Sequence, residues 1–410
     1  MAKALLLNPT AFEAGLVAAA RARALSPAQS AALEAFSKTG LPHRRIEAWK
    51  WTDIRANLRD DLSSASAAND VIAPSIFGGL GAFEITIMNG AAEWSGEAPA
   101  GVTISRTPQG GPLSELASNH PLANLAFLNT DETIAINVAE GASVEKPLLI
   151  RRIAGGGAIH QRVTVKVGAC SKVTIIESFD GVGRYFSNSV TEFSIESGAS
   201  VERLVLQNGS DDGVETALCA VAAETMSKFH QTALLLGARI VRIESRIALG
   251  GEDAQADLRS ASMLCGMRHA DVTSQIDHRA KGCTTRQLHK SALKDKADGV
   301  FQGKFLVARG AQKTDARMSV NALLLSDFAE ARHKPELEIY ADDVECAHGS
   351  TVGALDDAAL FYIKSRGLDD AAGRALLTEA FLGEAFDAMP HPAIERTFRT
   401  RIARWLEAGK

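Results

Sequence analysis

The chain has 410 residues and a formal net charge of −5, with 46% hydrophobic and 23% charged residues. This length predicts roughly two to three domains, and the composition is that of a folded globular protein. A net negative charge with only three tyrosines argues against a nucleic-acid-binding surface. No apolar run approaches the roughly 20 residues of a membrane span, and Asn8-Pro9 interrupts the N-terminal apolar run too early for a signal peptide. We therefore expect a cytoplasmic protein without membrane contact.

The five cysteines are scattered and odd in number, and no two of them form a C-x-x-C pair. This pattern predicts neither a disulfide framework nor a zinc ribbon, and it agrees with a cytoplasmic location. The cysteines are Cys170, Cys219, Cys265, Cys283 and Cys346.

Residues 1–82 are expected to form an N-terminal helical region. Phe12, Leu16 and Ala20 recur on one face of a helix. Ser26-Pro27 is a suitable N-cap and first-turn pair for a second helix that runs through Phe36.

Two tryptophans, Trp49 and Trp51, alternate with cations in the segment from Arg44 to Thr52. Such a segment could stack on a ligand, or it could pack its indoles onto the main body while the cations reach solvent. We favour packing.

Residues 83–355 change to a period of two, with short β-branched runs interrupted by glycine. A strand, a Gly-Ala pair and a second strand recur, and successive pairs are 27, 30, 39 and 73 residues apart. A β-sandwich is the competing interpretation, but its hairpins would recur every ~8–12 residues. The longer period favours a mainly β fold in which coils stack into a β-solenoid. The pairs are Gly141-Ala142, Gly168-Ala169, Gly198-Ala199, Gly237-Ala238 and Gly310-Ala311.

Residues 356–410 are again helical by pattern. Asp356 or Asp357 is expected to cap a helix through Ser365, and Asp369 to start a second helix toward Met389. A third helix is expected from Ala393 to Glu407, with a narrow apolar stripe. This region could cap the end of the solenoid, dock another subunit, or do both.

Motifs for nucleotide chemistry are absent from the sequence. Gly299–Phe305 has the wrong spacing for a P-loop and lacks the Ser/Thr that would bind Mg²⁺. There is no G-x-G-x-x-G after a strand, no G-x-S-x-G and no H-E-x-x-H.

The densest group of reactive side chains lies between Glu336 and Gly349. Cys346 and His348 are two residues apart on a predicted strand, so both leave the same face, roughly 6–7 Å apart. A thiolate and an imidazole at this separation can share a metal ion or the edge of a cluster. Two ligands are too few for a closed site, so a metal here would need further ligands from elsewhere or from a partner chain. The competing interpretation is a buried cysteine beside a histidine at a strand end.

Three further histidines fall in the later strands, near Cys265 and Cys283. Stacked coils could bring them together, but the register cannot be read from the sequence, and structural roles are favoured. They are His269, His278 and His289.

The stretch from Met318 to Leu368, with its segment KPELEIYADDVECAHGSTVGAL, resembles the core signature of the SufB/SufD family. Members of this family are scaffold subunits of the SUF iron–sulfur cluster assembly machinery. The SufB type has Glu after the histidine and a cysteine in the preceding strand. Here Gly349 follows His348, and Asn321–Ser326 contains no cysteine. The resemblance is therefore to the SufD type.

This resemblance implies a right-handed parallel β-helix core flanked by α-helical N- and C-terminal regions. It also implies pairing with a SufB-type subunit and binding of a SufC-type ABC ATPase through the C-terminal helices. A transient iron–sulfur cluster would form at the subunit interface, with His348 and Cys346 as candidate ligands. The isolated chain would hold no permanent cofactor, could form a homodimer, and would not be an enzyme.

Two alternatives remain open at this stage. A β-solenoid enzyme acting on polysaccharide would be expected to carry an export signal, which we do not find. A homo-oligomeric scaffold without metal is the other alternative, and co-purification of an ABC-type ATPase would separate it from a cluster-assembly subunit.

Overall fold

The computed structural model describes residues 8–60, 62, 75–108, 111–387 and 389–408. Helices lie at both ends of the chain, and strands occupy most of the length between them. The α-helices are α1 (Ala11–Arg21), α2 (Pro27–Thr39), α3 (Ile54–Asn57), α4 (Glu115–Ser118), α5 (Pro121–Asn129), α6 (Asp357–Ser365), α7 (Asp370–Gly383) and α8 (Pro392–Ala408). The strands are β1 (Phe83–Met88), β2 (Ala91–Trp94), β3 (Val102–Pro108), β4 (Glu132–Val138), β5 (Leu148–Val167), β6 (Lys172–Ile195), β7 (Ser200–Asn208), β8 (Val214–Ala223), β9 (Lys228–Leu235), β10 (Ile240–Leu249), β11 (Gln255–Leu264), β12 (His269–His278), β13 (Thr284–Leu293), β14 (Asp298–Val307), β15 (Asp315–Leu324), β16 (Glu330–Ile339) and β17 (Glu345–Gly353).

The strands form a parallel β-solenoid of about eight turns, which confirms the predicted fold. From β7 onward each strand pairs in parallel with the strand two places later in the chain. One wall therefore contains β8, β10, β12, β14 and β16, and the other contains β7, β9, β11, β13, β15 and β17. The side chains that point inward between the walls form one continuous apolar core.

One corner of the solenoid repeats every 27 to 31 residues, and its turn residue has a positive φ in each coil. A positive φ is the conformation that glycine adopts most easily, but the corner also holds a cysteine, a methionine, an aspartate and a lysine. Only two of the Gly-Ala pairs supply this turn residue, which explains their irregular spacing. The corner residues are Gly141, Cys170, Gly198, Met226, Asp253, Gly282 and Lys313.

The second N-terminal helix begins where the sequence predicts, and both N-terminal helices carry capping boxes. Thr10 and Glu13 form a capping box on α1, and Ser26 and Gln29 form a second one on α2. In both helices the side chain of the cap residue accepts a hydrogen bond from the backbone N–H three residues later. The side chain at that later position in turn accepts a hydrogen bond from the backbone N–H of the cap residue.

Two helices that the period-two pattern did not predict, α4 and α5, interrupt the strand region. Six of the nine residues of α5 are buried, so it has no polar face that would reveal a helical period. Together with α1 and α2, these helices cover the outer face of strands near Phe186 and Val190.

The C-terminal helices lie along the flank of the solenoid. The apolar residues of α8, Ile394, Phe398 and Ile402, are buried against outward-facing leucines such as Leu204 and Leu234. This cluster reaches from β5 to β13 and leaves β16 and β17 uncovered. Of the two alternatives left open by the sequence, the structure places these helices on the flank of the solenoid and not over its last coil.

The two ends of the solenoid differ in how their outermost strands are paired. At the N-terminal end the short antiparallel strands β2 and β3 are outermost. Arg106 of β3 donates to the carbonyl of Ala92 in β2 and lies over the ring of Trp94, 4.7 Å from its centroid. At the C-terminal end β16 and β17 each pair on one side only within the described residues.

No helix in the described part of the chain combines the length and apolar character needed to cross a bilayer.

Candidate functional site

The two predicted ligand residues lie on the last strand of the solenoid. Cys346 of β17 is in register with Ala316 of β15, and His348 is in register with Met318. Ala316 and Met318 belong to the inward-facing core. Cys346 and His348 therefore continue an inward-facing column of side chains, as their predicted spacing requires. Residues 341–343 lie in the corner between β16 and β17.

The two side chains differ in exposure. Cys346 is half-buried and packs against the core, whereas His348 is exposed. Burial raises the pKa of the Cys346 thiol above its ordinary value. A thiol becomes a metal ligand only as the thiolate, so a metal or a neighbouring positive charge must favour its ionisation. His348 lines an open groove of about 440 Å³ beside Met318 and Arg317.

A third side chain at this end of the solenoid was missed in the sequence. His333 of β16 lies 2.8 Å from the Oγ of Ser350, measured from its Nδ1. Burial lowers the pKa of His333, which favours the neutral imidazole. Ser350 is two residues from His348 on β17, so both face the same open end. The 17 residues between His333 and Ser350 hide this proximity in the sequence.

The other histidines do not assemble around a common site. His269 lies on an outer face, where its Nδ1 is 3.1 Å from Asp298 and its Nε2 is 2.9 Å from Thr52. His289 faces the interior, stacked on Phe301. Within the described residues, no group of three or more His, Cys, Asp or Glu side chains is arranged to hold a metal ion.

His278 and the two nearby cysteines are also separate from one another. His278 is fully buried and contacts Thr285 at 3.2 Å, and burial lowers its pKa to about 4. Cys283 is buried at a corner, and Cys265 lines a groove beneath α7 and α8.

A buried charge network lies inside the solenoid. Glu177 accepts hydrogen bonds from Arg152 at 2.7 Å and from Arg203 at 2.6 Å, and all three are at most 2% exposed. Arg203 also donates to Gln231 of the next coil at 2.5 Å. The sequence pattern did not identify this network, because charged residues in an alternating strand normally face solvent.

The tryptophan-containing segment packs onto the solenoid, as expected. Trp49 is 4% exposed and lies against the guanidinium of Arg242, 3.9 Å from the ring centroid. Arg242 also forms ion pairs of 2.7 Å with Glu244 and with Asp271. This buried network attaches the N-terminal region to the outer face of β10 and β12.

An exposed apolar patch lies on the C-terminal helices. Phe361 and Tyr362 of α6 are 75% and 59% exposed, and Leu368 and Leu376 follow at 39% and 47%. Asp356 caps α6 and Asp369 caps α7, as predicted. These four residues, on α6, α7 and the loop between them, are called the α6–α7 patch below, and a concentration of exposed apolar side chains is typical of a protein-binding site.

Comparison with known proteins gives a consistent result. The family described as "SUF system FeS cluster assembly, SufBD core domain" matches residues 151–381. The iron–sulfur cluster assembly protein SufD of Escherichia coli is 29% identical over 94% of both chains. A SufBD family protein of Synechocystis is 28% identical over 88% of this chain and 87% of its own length. The chloroplastic protein ABCI7 of Arabidopsis thaliana is 28% identical over 71% of this chain and 65% of its own. The chain belongs to the SufBD family of the SUF iron–sulfur cluster assembly system, and it is SufD-like.

Proposed function

We propose that this chain is a non-enzymatic scaffold subunit that pairs with a SufB-type subunit through the open end of its solenoid. In this proposal it binds a SufC-type ATPase through the α6–α7 patch. His348, with Cys346 beside it, contributes to a nascent iron–sulfur cluster at the subunit interface. The cluster is the cargo of the assembly and not a resident cofactor of this chain.

The proposal rests on the open C-terminal end of the solenoid. Strands β16 and β17 are ten and nine residues long, and each exposes a row of backbone N–H and C=O groups without a strand partner among the described residues. Long free edges tend to pair with another strand, and proteins that stay monomeric usually shorten or cover them. Exposed apolar side chains, Tyr340 and Val352, lie at the same end. A second solenoid edge would satisfy both the backbone groups and these side chains.

The position of the candidate ligands supports a shared site. Cys346 and His348 face inward on the outermost strand, so the strand of a partner that extends the sheet would place its own side chains directly over them. A thiolate and a neutral imidazole are both competent iron ligands. Two protein ligands leave coordination positions that the partner must fill.

Substitution of His348 by alanine tests the ligand role. His348 is exposed and has no hydrogen-bond partner among the described residues, so we expect a stability change within about 0.5 kcal/mol. Iron and acid-labile sulfide in the complex reconstituted with SufB-type and SufC-type subunits should fall by about tenfold or more.

The matched control is His230→Ala, since the side chain of His230 is 42% exposed on an outer face of the same wall. The control should retain cluster content. A lowered thermal midpoint of His348→Ala with normal iron and sulfide per folded complex would contradict the ligand role. Recovery of only a metal-free dimer of this chain, with no affinity for a SufB-type subunit, would contradict the function itself.

Substitution of Phe361 by serine tests the ATPase contact. Removal of a central aromatic side chain from an interface typically costs about 2 kcal/mol or more, which corresponds to roughly 30-fold weaker binding. Phe328→Ser is the matched control, because Phe328 is 73% exposed but lies at the corner before β16. Equal ATPase affinity of the Phe361 and Phe328 variants, measured by titration of the purified subunits, would exclude the α6–α7 patch as the binding site.

A further inference from the structure

A basic cleft lies in the N-terminal region, distant in sequence from Cys346, His348 and the α6–α7 patch. It has a volume of about 510 Å³, and its titratable lining residues are His43, Arg44, Arg45, Asp53, Arg55 and Arg59. We propose that this basic cleft binds a small phosphate-bearing anion. The proposal rests on the cleft alone and does not depend on the proposed role in cluster assembly.

A buried carboxylate holds the walls of the basic cleft in place. Glu13 is fully buried and accepts hydrogen bonds from the backbone N–H groups of Thr10 and Leu41, both at 2.8 Å. Arg55 donates to both Glu13 oxygens, at 3.1 and 3.2 Å, and to the carbonyl of Asn8 at 2.8 Å. Three separate segments of the chain are thereby joined at one point. A site whose walls are already ordered loses less conformational entropy when a ligand binds.

The remaining three guanidinium groups of the cleft are uncompensated. Arg44, Arg45 and Arg59 are exposed, and their side chains form no hydrogen bond or ion pair with any residue that the structure describes. The one carboxylate of the lining, Asp53, accepts the backbone N–H of Ala56 at 2.8 Å as the N-cap of α3.

The cleft is therefore locally positive in a chain whose net charge is −5. A concave surface lined mainly by one sign of charge concentrates its electrostatic field and attracts counter-ions. Arrangements of this kind are unfavourable for the free protein and become favourable when an anion occupies the cleft.

The chemistry of the lining selects the class of ligand. A guanidinium group presents a planar fork of donors that matches two oxygens of a phosphate. The cleft volume is within the range of about 300–1,000 Å³ that is usual for small-molecule sites. A diphosphate group, either free or carried by a nucleotide, has enough oxygens for the three free arginines and fits within the cleft.

Calorimetric titration of the full chain with inorganic pyrophosphate and, separately, with ADP tests the proposal. At near-physiological salt we expect saturable binding in the micromolar range to the wild-type chain. The combined variant Arg44→Gln, Arg45→Gln, Arg59→Gln should bind at least about 30-fold more weakly, because it loses charge-assisted hydrogen bonds to the phosphates. All three residues are exposed, so the thermal midpoint should not change.

A variant with the same change of charge provides the control. Arg309, Arg396 and Arg404 are also exposed and have no ion pair among the described residues, but they do not share a cleft with one another. Their combined substitution by Gln should leave the affinity unchanged within about twofold. ADP binding tighter than pyrophosphate supports a nucleotide ligand, and equal affinities support recognition of the diphosphate alone. No saturable binding of either compound at millimolar concentration, or equal losses in the two triple variants, would overturn the proposal.

Discussion

Replacement of Glu177 by glutamine should destabilise the solenoid more than any surface substitution. The Glu177 carboxylate accepts hydrogen bonds from Arg152 and Thr191, each at 2.7 Å, and from Arg203 at 2.6 Å. Glutamine has a similar shape but no charge, and its amide N–H₂ would face a guanidinium donor. Two fully buried cations would then have no counter-charge.

The expected loss can be estimated in two ways. Removal of one partner of a buried ion pair typically costs about 3–5 kcal/mol. Burial by itself would raise the pKa of Glu177, but Arg203 and Arg152 lower it to about 2 from an ordinary value of 4.5. This difference corresponds to roughly 3 kcal/mol. With an unfolding entropy of about 2.1 cal/mol/K per residue, a cooperative chain of this size should melt about 4–6 °C lower.

The assay is urea and thermal unfolding of the wild type, Glu177→Gln and the exposed control Glu140→Gln. The folded-state pKa of Glu177 is below its unfolded-state value, so its contribution is present above about pH 4.5 and is lost as the pH falls toward 2. The difference between wild type and Glu177→Gln should therefore narrow in acid. A loss below about 1 kcal/mol at pH 7, or one equal to that of Glu140→Gln, would refute this account of the buried network.

Two further predictions concern other buried groups. Burial raises the pKa of Glu215 to about 7, although Tyr185 and Gln207 donate hydrogen bonds to its carboxyl group. Since the folded state holds this proton more tightly than the unfolded state, the stability of the wild type should decline from about pH 4.5 to about pH 7. A Glu215→Gln variant should lack this pH-dependent decline, as measured by urea unfolding at several pH values. Burial also raises the pKa of Cys346, which lowers its thiolate fraction near neutral pH. Iodoacetamide at pH 7.5 should therefore alkylate the exposed Cys170 several-fold faster than Cys346 in the isolated chain. Equal alkylation rates, measured by peptide mass spectrometry, would contradict this prediction.

Several features of the fold could be predicted because local chemistry specifies them. The caps at Ser26, Asp356 and Asp369 satisfy backbone N–H groups only a few residues away, so each helix start is encoded within one turn. The common face of Cys346 and His348 follows from the two-residue period of a single strand. The family resemblance depends on the same continuous stretch of sequence.

Other features depend on contacts between residues that are distant in the chain. Each coil turns at a residue with a positive φ, and Gly198 and Met226 both adopt this conformation. The identity of the turn residue alone therefore does not reveal the coil period. His333 contacts Ser350 at the open end of the solenoid, although the two residues are 17 positions apart in the chain. The buried charge network joins three different strands, through Arg152, Glu177 and Arg203. Their inward orientation is stable only because each charge meets its partner inside the solenoid.

The sequence by itself determined the starts of α2, α6 and α7, the solenoid class and the strand that carries the candidate ligands, because these are encoded over short stretches. Only the tertiary structure decided that α8 covers the flank and that the last coil is left open, since both depend on which apolar surfaces remain after the walls have stacked. The buried charge network has the same origin. A charge in an alternating strand is stable inside only when the neighbouring coils supply its partner.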